Sequence, residues 1–369
     1  MNGHWVRRAW ERNRLSGKIA WALLLPFSWL FLVAVHIRNL LFSMNWRRSA
    51  ALERPVISIG NLTVGGTGKT PSCIWLAREL GKSGLRIAIL SRGYRRKDAQ
   101  PAIFSPGDND SFSSANAGDV DSAGDEPFMM ARLYGQTVAV GRERHRAAQE
   151  LLRRCDVDAF ILDDGFQHRQ LKRDVDLVLL GCDSTGGLLP SGPFREPRSA
   201  LRRADFFLLT GSEQSWRPFV GSISNGTCFA GTLEAVALVG FESNLWKEHP
   251  LSLLYGSRIL AVAGIAKPAR FYRFIRDHGG EVVDILEFSD HHRYSSQDWQ
   301  HINRAARNVD LIVTTEKDMV KLVRFPFARN KLLALRVAMI VENGEALVQA
   351  ILDRIQKKAN SVHTVSGDI

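Results

Sequence analysis

An α/β protein built around a phosphate-binding loop is the fold class this sequence predicts, from three observations. The first is a short apolar strand, Pro55-Val56-Ile57-Ser58-Ile59, running into Thr63-Val64-Gly65-Gly66-Thr67-Gly68-Lys69-Thr70 and then into an apolar-periodic helix reaching about Lys82. The second is a later apolar strand, Ala159-Phe160-Ile161-Leu162, ending in Asp163-Asp164. The third is a strand/helix alternation that restarts at Arg258, which predicts a second, smaller α/β domain.

Strand, glycine-rich loop and helix in that order are what a P-loop requires. The glycines let backbone N–H groups turn inward around an anion, and the helix N-terminus adds its positive end. Residues Thr63, Val64, Gly65, Gly66, Thr67, Gly68, Lys69 and Thr70 are therefore expected to bind ATP, with Lys69 on the β- and γ-phosphates and the Thr70 hydroxyl on Mg²⁺. The strict pattern opens on glycine, where this chain has Thr63. Asp163 and Asp164 have the Walker-B arrangement, a strand end whose carboxylate holds Mg²⁺ directly or through water.

Composition bounds the rest. Apolar residues make up 45% and charged residues 24% of the 369, ordinary values for a folded chain. Cys73, Cys155, Cys182 and Cys228 show neither paired spacing nor a Cys/His cluster, which speaks against a disulfide framework and a zinc site. The formal net charge of +11 is concentrated in residues 1–54, where nine Lys/Arg face only Glu11 and Glu53. Five of the nine tryptophans lie there too, within and around the uncharged run Ile19 to Val35. Basic and tryptophan flanks around an apolar run describe a membrane interface better than a nucleic-acid track. The remainder of the chain keeps too small a positive excess for nucleic-acid binding, and nothing calls for an obligate protein partner. Seventeen helical residues cover about 26 Å against a hydrocarbon core of roughly 30 Å. Continuing to Met44 includes His36 and Arg38, which would have to snorkel. A short span and a helix lying in the interface both remain open.

Along the chain, the expected organisation is a membrane-associated helix over 1–45, a P-loop domain over 46–225, a linker over 226–257, a second α/β domain over 258–345, and a C-terminal helix with a disordered tail. Residues 97–124 read as a long polar surface loop. It ends at Gly124-Asp125-Glu126-Pro127, where Asp125 reads equally as a helix N-cap and as a catalytic carboxylate. Pro193-Phe194-Arg195-Glu196-Pro197 carries a solvated ion pair or a guanidinium that meets a transferring phosphoryl group. Asp290-His291-His292 and Thr314-Thr315-Glu316-Lys317-Asp318 lie in loops of the second domain.

Taken in order, these pieces, with Ser91-Arg92-Gly93-Tyr94, resemble the tetraacyldisaccharide 4′-kinases of lipid A biosynthesis over nearly the whole chain. That family shares the Thr63 departure. The resemblance implies transfer of the ATP γ-phosphate to the 4′-hydroxyl of a tetraacylated glucosamine disaccharide 1-phosphate, on the cytoplasmic face of a Gram-negative inner membrane. It further implies that Asp125 acts with His291 on the acceptor hydroxyl and that Arg195 and Glu196 line the site. A membrane-associated ATPase of the partitioning or targeting type is the alternative. Those proteins carry a signature lysine at the position of Val64.

Overall fold

The structure, a computed structural model, describes residues 10, 15–94, 96, 100–105, 120, 122–182, 186–243, 245–328 and 331–365. The basic residues Arg7, Arg8, Arg12 and Arg14, Trp5, most of the expected loop at 97–124, and residues 366–369 lie outside the described residues.

The elements follow one another as an α/β chain should. Helix α1 (Leu15–Ser43) precedes strand β1 (Val56–Asn61) and helix α2 (Lys69–Lys82). Next come β2 (Ile87–Ser91), β3 (Ala102–Phe104), α3 (Asp125–Tyr134), β4 (Thr137–Val140) and α4 (Arg144–Leu152). Strands β5 (Ala159–Asp163), β6 (Val175–Leu180) and β7 (Phe206–Leu209), helix α5 (Glu213–Ile223), and the hairpin β8 (Thr227–Glu242) and β9 (Leu245–His249) follow. The chain closes with β10 (Arg258–Ala263), α6 (Ala269–Asp277), β11 (Glu281–Glu287), α7 (Ser296–Ala305), β12 (Leu311–Thr315), α8 (Glu316–Leu322), β13 (Leu332–Val341) and α9 (Gly344–Val365).

These elements form two compact units. The first draws on Met1–Lys69, Ala159–Thr232 and Val341–Ile369, the second on Thr70–Asp158 and Leu233–Ile340. In the first, the strand order β8–β7–β6–β1–β5 is parallel throughout. Strands β1, β5, β6 and β7 are buried at every position, as a parallel sheet covered on both faces demands. Leu62, Phe166, Phe194, Phe207 and Trp216 pack one side of this sheet into a core that reaches the loops at its edge. In the second unit, β2 and β4 pair in parallel with β3 antiparallel beside β4, and β11–β10–β12–β13 form a parallel run.

Three expectations need correction. The stretch read as a linker, 226–257, is mostly the β8–β9 hairpin, with Leu238 opposite His249. Gly231, Gly240 and Glu234 interrupt its apolar pattern, and glycine and glutamate are poor strand formers. The tail read as disordered from residue 359 continues α9 to Val365, since no glycine or proline stops it earlier. Within the expected polar loop, Ala102–Phe104 forms β3 against β4.

Helix α1 belongs to the first unit and explains its own polar residues. Ser28, Val35 and Phe42, seven residues apart, are buried on one face. The Ser28 hydroxyl lies 2.7 Å from that of Ser191, and the Arg169 guanidinium sits over the Phe42 ring. Arg38 does not snorkel: it pairs with Glu196, which is fully buried. The other face shows Leu23, Phe27, Trp29, Leu30, Val33 and Ile37 to the outside, with Trp29 67% exposed. Its stretch Gly17–Ser43 has mean hydropathy 2.0, long and apolar enough to cross a membrane.

Candidate active site

Strand β1 delivers the P-loop, and its last residue, Asn61, organises it. Asn61 is fully buried; its amide donates to Thr67 Oγ1 at 2.9 Å and its oxygen accepts from Lys69 Nζ at 3.2 Å. Gln167 closes the arrangement by donating to the Asn61 carbonyl at 2.8 Å. Gly68 adopts φ +88°, a turn that strains any residue with a Cβ. Gly60 is needed for closeness: a Cβ there would meet the Phe166 backbone nitrogen at 2.7 Å. Thr63 shows why the missing first glycine costs nothing. It sits in an antiparallel bridge with Phe194, an extended conformation that any residue adopts.

That bridge also places the proline-bounded segment. Val64 N–H donates to Pro193 O and Arg195 N–H to Leu62 O, so Pro193–Arg195 runs as a short strand along the entry to the P-loop. Successive side chains of an extended segment point to opposite sides. Arg195 accordingly reaches Asp164, with Nη1 2.9 and 2.8 Å from the two carboxylate oxygens. Lys69 Nζ lies 3.6 Å from the same carboxylate. Glu196 faces the other way and is held by Arg38 and Arg203. The structure thus brings Lys69, Asp164 and Arg195 together and leaves Glu196 out of that cluster. Asp163 ends β5 in a buried position, and Asp164 sits at φ +49°, a costly conformation for a non-glycine residue. No group of three or more His, Cys, Asp and Glu side chains poised for a metal ion occurs among the described residues.

The second constellation lies within the second unit, so Asp125 and His291 share one compact body although the sequence assigns them to different domains. Asp125 opens α3 but does not cap it. Gly124 occupies the N-cap position and no side chain caps the helix. The Asp125 carboxylate instead turns to His291, Oδ2 to Nδ1 at 3.2 Å, and to Lys321 Nζ at 3.2 Å. Burial opposes its ionisation, but the His291 hydrogen bond and the Lys321 charge win and hold its pKa down at about 2. His291 Nε2 faces Lys317 Nζ at 3.0 Å. An ammonium only donates, so Nε2 is the acceptor and Nδ1–H donates to Asp125. Lys317 itself is half-buried, and although burial opposes its charge, Glu126, Asp290 and Asp125 raise its pKa. The exposed Tyr94 ring stands 5.2 Å from the imidazole. Burial, followed by the partner carboxylate Glu316, pushes the Tyr134 phenol far up, and Tyr134 O–H donates to Glu316 at 2.7 Å.

Sequence reasoning missed Asn61, Gln167 and Lys321. Asn61 was legible as the polar residue ending a buried strand just before the loop. Lys321 was not, because α8 is only seven residues long and its motif reads as a loop.

Fold and site together define a P-loop α/β protein carrying a carboxylate–imidazole pair. The sequence pattern of the family described as tetraacyldisaccharide-1-P 4′-kinase (LpxK) matches residues 20–356. The chain is 40% identical over 339 residues to the tetraacyldisaccharide 4′-kinase of Syntrophus aciditrophicus, covering 86% of this chain and 88% of that one. It is 36% identical to that of an Anaeromyxobacter species over 98% of this chain and 99% of the other. Among solved structures, LpxK from Aquifex aeolicus in complex with ATP superposes with a TM-score of 0.75 at 32% identity, covering 91% of this chain and 99% of that one. This chain belongs to the tetraacyldisaccharide 4′-kinase family. Nothing in these matches favours the partitioning-ATPase alternative.

Proposed function

We propose that this protein phosphorylates the 4′-hydroxyl of a tetraacylated glucosamine disaccharide 1-phosphate with ATP, yielding the bisphosphorylated lipid A precursor at the cytoplasmic face of the inner membrane. The observation that carries this reading is the convergence of Lys69 and Arg195 on Asp164 beside a P-loop. Two cations held by one carboxylate are ready to exchange it for phosphate oxygens, and such groups stabilise charge on a transferring phosphoryl group. The backbone of residues 63–68 cradles the phosphates.

The acceptor hydroxyl is a poor nucleophile until its proton is taken. Asp125 Oδ2 is occupied by His291 and Lys321, so Oδ1 is the oxygen left for the hydroxyl proton. His291 steadies the carboxylate through Nδ1–H. As the new O–P bond forms, the bond from Pγ to the β–γ bridging oxygen breaks and ADP leaves with the electron pair. Thr70, Asp163 and Asp164 offer a hydroxyl and carboxylates, the hard oxygen donors that fit Mg²⁺ in company with phosphates and water. When bound, Mg²⁺ would neutralise charge on the β- and γ-oxygens.

The acceptor's four acyl chains keep it in a bilayer. The exposed apolar face of α1 lies in the interface of that bilayer, while its opposite face is fixed to the first unit by Ser28, Arg38 and Phe42. A helix that crossed the membrane would carry the Ser191 loop into hydrocarbon with it. The test is turnover by purified Lys69→Ala and Arg195→Ala. Losses of roughly 10²-fold or more in folded protein support the assignment, and near-normal turnover removes it.

A further inference from the structure

A buried lysine sits behind the carboxylate–imidazole pair. Lys321 Nζ lies 3.2 Å from Asp125 Oδ2 and 3.0 Å from Asp318 Oδ1, with the Tyr294 ring 5.4 Å away. Only 6% of the lysine side chain is exposed, and none of the aspartate.

Asp318 is itself pinned. Its Oδ2 accepts from Gly264 N–H at 2.8 Å and from Thr315 Oγ1 at 2.8 Å. The same residue, Gly264, accepts through its carbonyl the backbone N–H of His291 at 3.3 Å. One residue just past β10, Gly264, therefore serves as reference for both members of the pair through its two flanking peptide groups. His291 is fixed to its carbonyl through the backbone, and Asp125 to its N–H through Lys321 and Asp318. No side chain fits there, since a Cβ on Gly264 would meet Asp318 Oδ1 at 2.8 Å.

We propose that Lys321 is a positioning residue for phosphoryl transfer: clamped on Asp318, it holds Asp125 Oδ2 so that Oδ1 is presented to the acceptor hydroxyl in register with His291. This rests on the reading of Asp125 as the group that takes the hydroxyl proton. A lysine whose work was only to stabilise the unit would be dispensable for turnover once the protein is folded. A positioning lysine is not, because an error of about 1 Å in a reacting group costs up to roughly 10²-fold in rate.

The experiment is steady-state kinetics on the full-length chain with ATP and the detergent-dispersed lipid acceptor, for Lys321→Met, Lys321→Arg, Asp318→Asn, Asp125→Asn and the double variant Asp125→Asn/Lys321→Met. The expected result for Lys321→Met is a kcat lower by roughly 10–100-fold with the KM for ATP unchanged. Lys321→Arg should recover most of that loss. In the Asp125→Asn background, Lys321→Met should cost almost nothing more, since groups acting as a unit are not additive. If Lys321→Met does not fold, Asp318→Asn carries the test, because its amide keeps an acceptor oxygen but releases the clamp. It should lower kcat several-fold at constant KM. Full kcat in Lys321→Met, or in Asp318→Asn where the former is unfolded, with Asp125→Asn crippled, overturns the role of Lys321 alone. Full kcat in Asp125→Asn overturns the underlying assignment of the base.

Discussion

Asp125 shows how much a single residue's meaning depends on its surroundings. At the start of a helix it reads as a cap, whose loss costs about 1 kcal/mol and leaves chemistry alone. The structure gives the cap to Gly124 and the carboxylate to His291 and Lys321. Asp125→Asn should therefore lower kcat by roughly 10²–10⁴ in folded protein. Its pH signature is separable. The folded-state pKa of about 2 lies below the ordinary 3.8. A depressed carboxylate contributes stability that is fully present above its unfolded value and lost as pH falls through the folded one. The stability gap between wild type and Asp125→Asn should then shrink by roughly 2 kcal/mol between pH 5 and pH 2. Denaturant titrations across that range check it, and a constant gap would mean that the ion pair does not form in solution. Motif residues such as Lys69 were legible because the P-loop is a local device. The opposite facings of Arg195 and Glu196 were not, because they follow from a bridge to Leu62 and Thr63, some 130 residues away.

Helix α1 was legible as an apolar element with basic flanks, while its inner face was not. Composition alone makes Arg38 an oddity in an apolar helix. The partner that accounts for it, Glu196, lies in a loop that the sequence assigned to the ATP site. Glu196 has two cations and no exposure, so it ties α1 to the segment that carries Arg195. Removing Arg38 leaves Arg203 in place and should cost about 2 kcal/mol, less than the 3–5 kcal/mol of a pair with no second partner. The melting temperature of Arg38→Met should fall accordingly, while its binding to anionic vesicles stays near that of wild type. Unchanged stability would show that the pair is idle. Helix α8 and strand β8 were lost to sequence reasoning for a common reason. Each is settled by tertiary contacts that override a weak or glycine-broken local pattern.

For the whole molecule, the fold class was readable because parallel-sheet strands buried on both faces leave continuous apolar runs, which β1, β5 and β6 display. The interleaving of the two compact units was not, since the stretches that build each one are far apart in sequence. The placement of α1 yields a prediction about the intact enzyme. Deleting residues 1–44 should release much of the protein from membranes. Turnover of bilayer-presented acceptor should fall more than turnover of a short-chain soluble one, because what is lost is encounter rather than chemistry. Sedimentation with vesicles and paired assays on the two acceptors would measure it. Complete retention on membranes would place a second contact surface elsewhere.

Following the γ-phosphate tests the proposed reaction most directly. Purified full-length protein is incubated with γ-labelled ATP, Mg²⁺ and tetraacyldisaccharide 1-phosphate, and the lipid product is resolved by phosphorus NMR. The expected result is label in a new phosphate monoester on the 4′-oxygen, one ADP per transfer, and no product with Lys69→Ala. Release of free phosphate with no label in the lipid, or ATP turnover stimulated equally by anionic vesicles lacking the disaccharide, would contradict it.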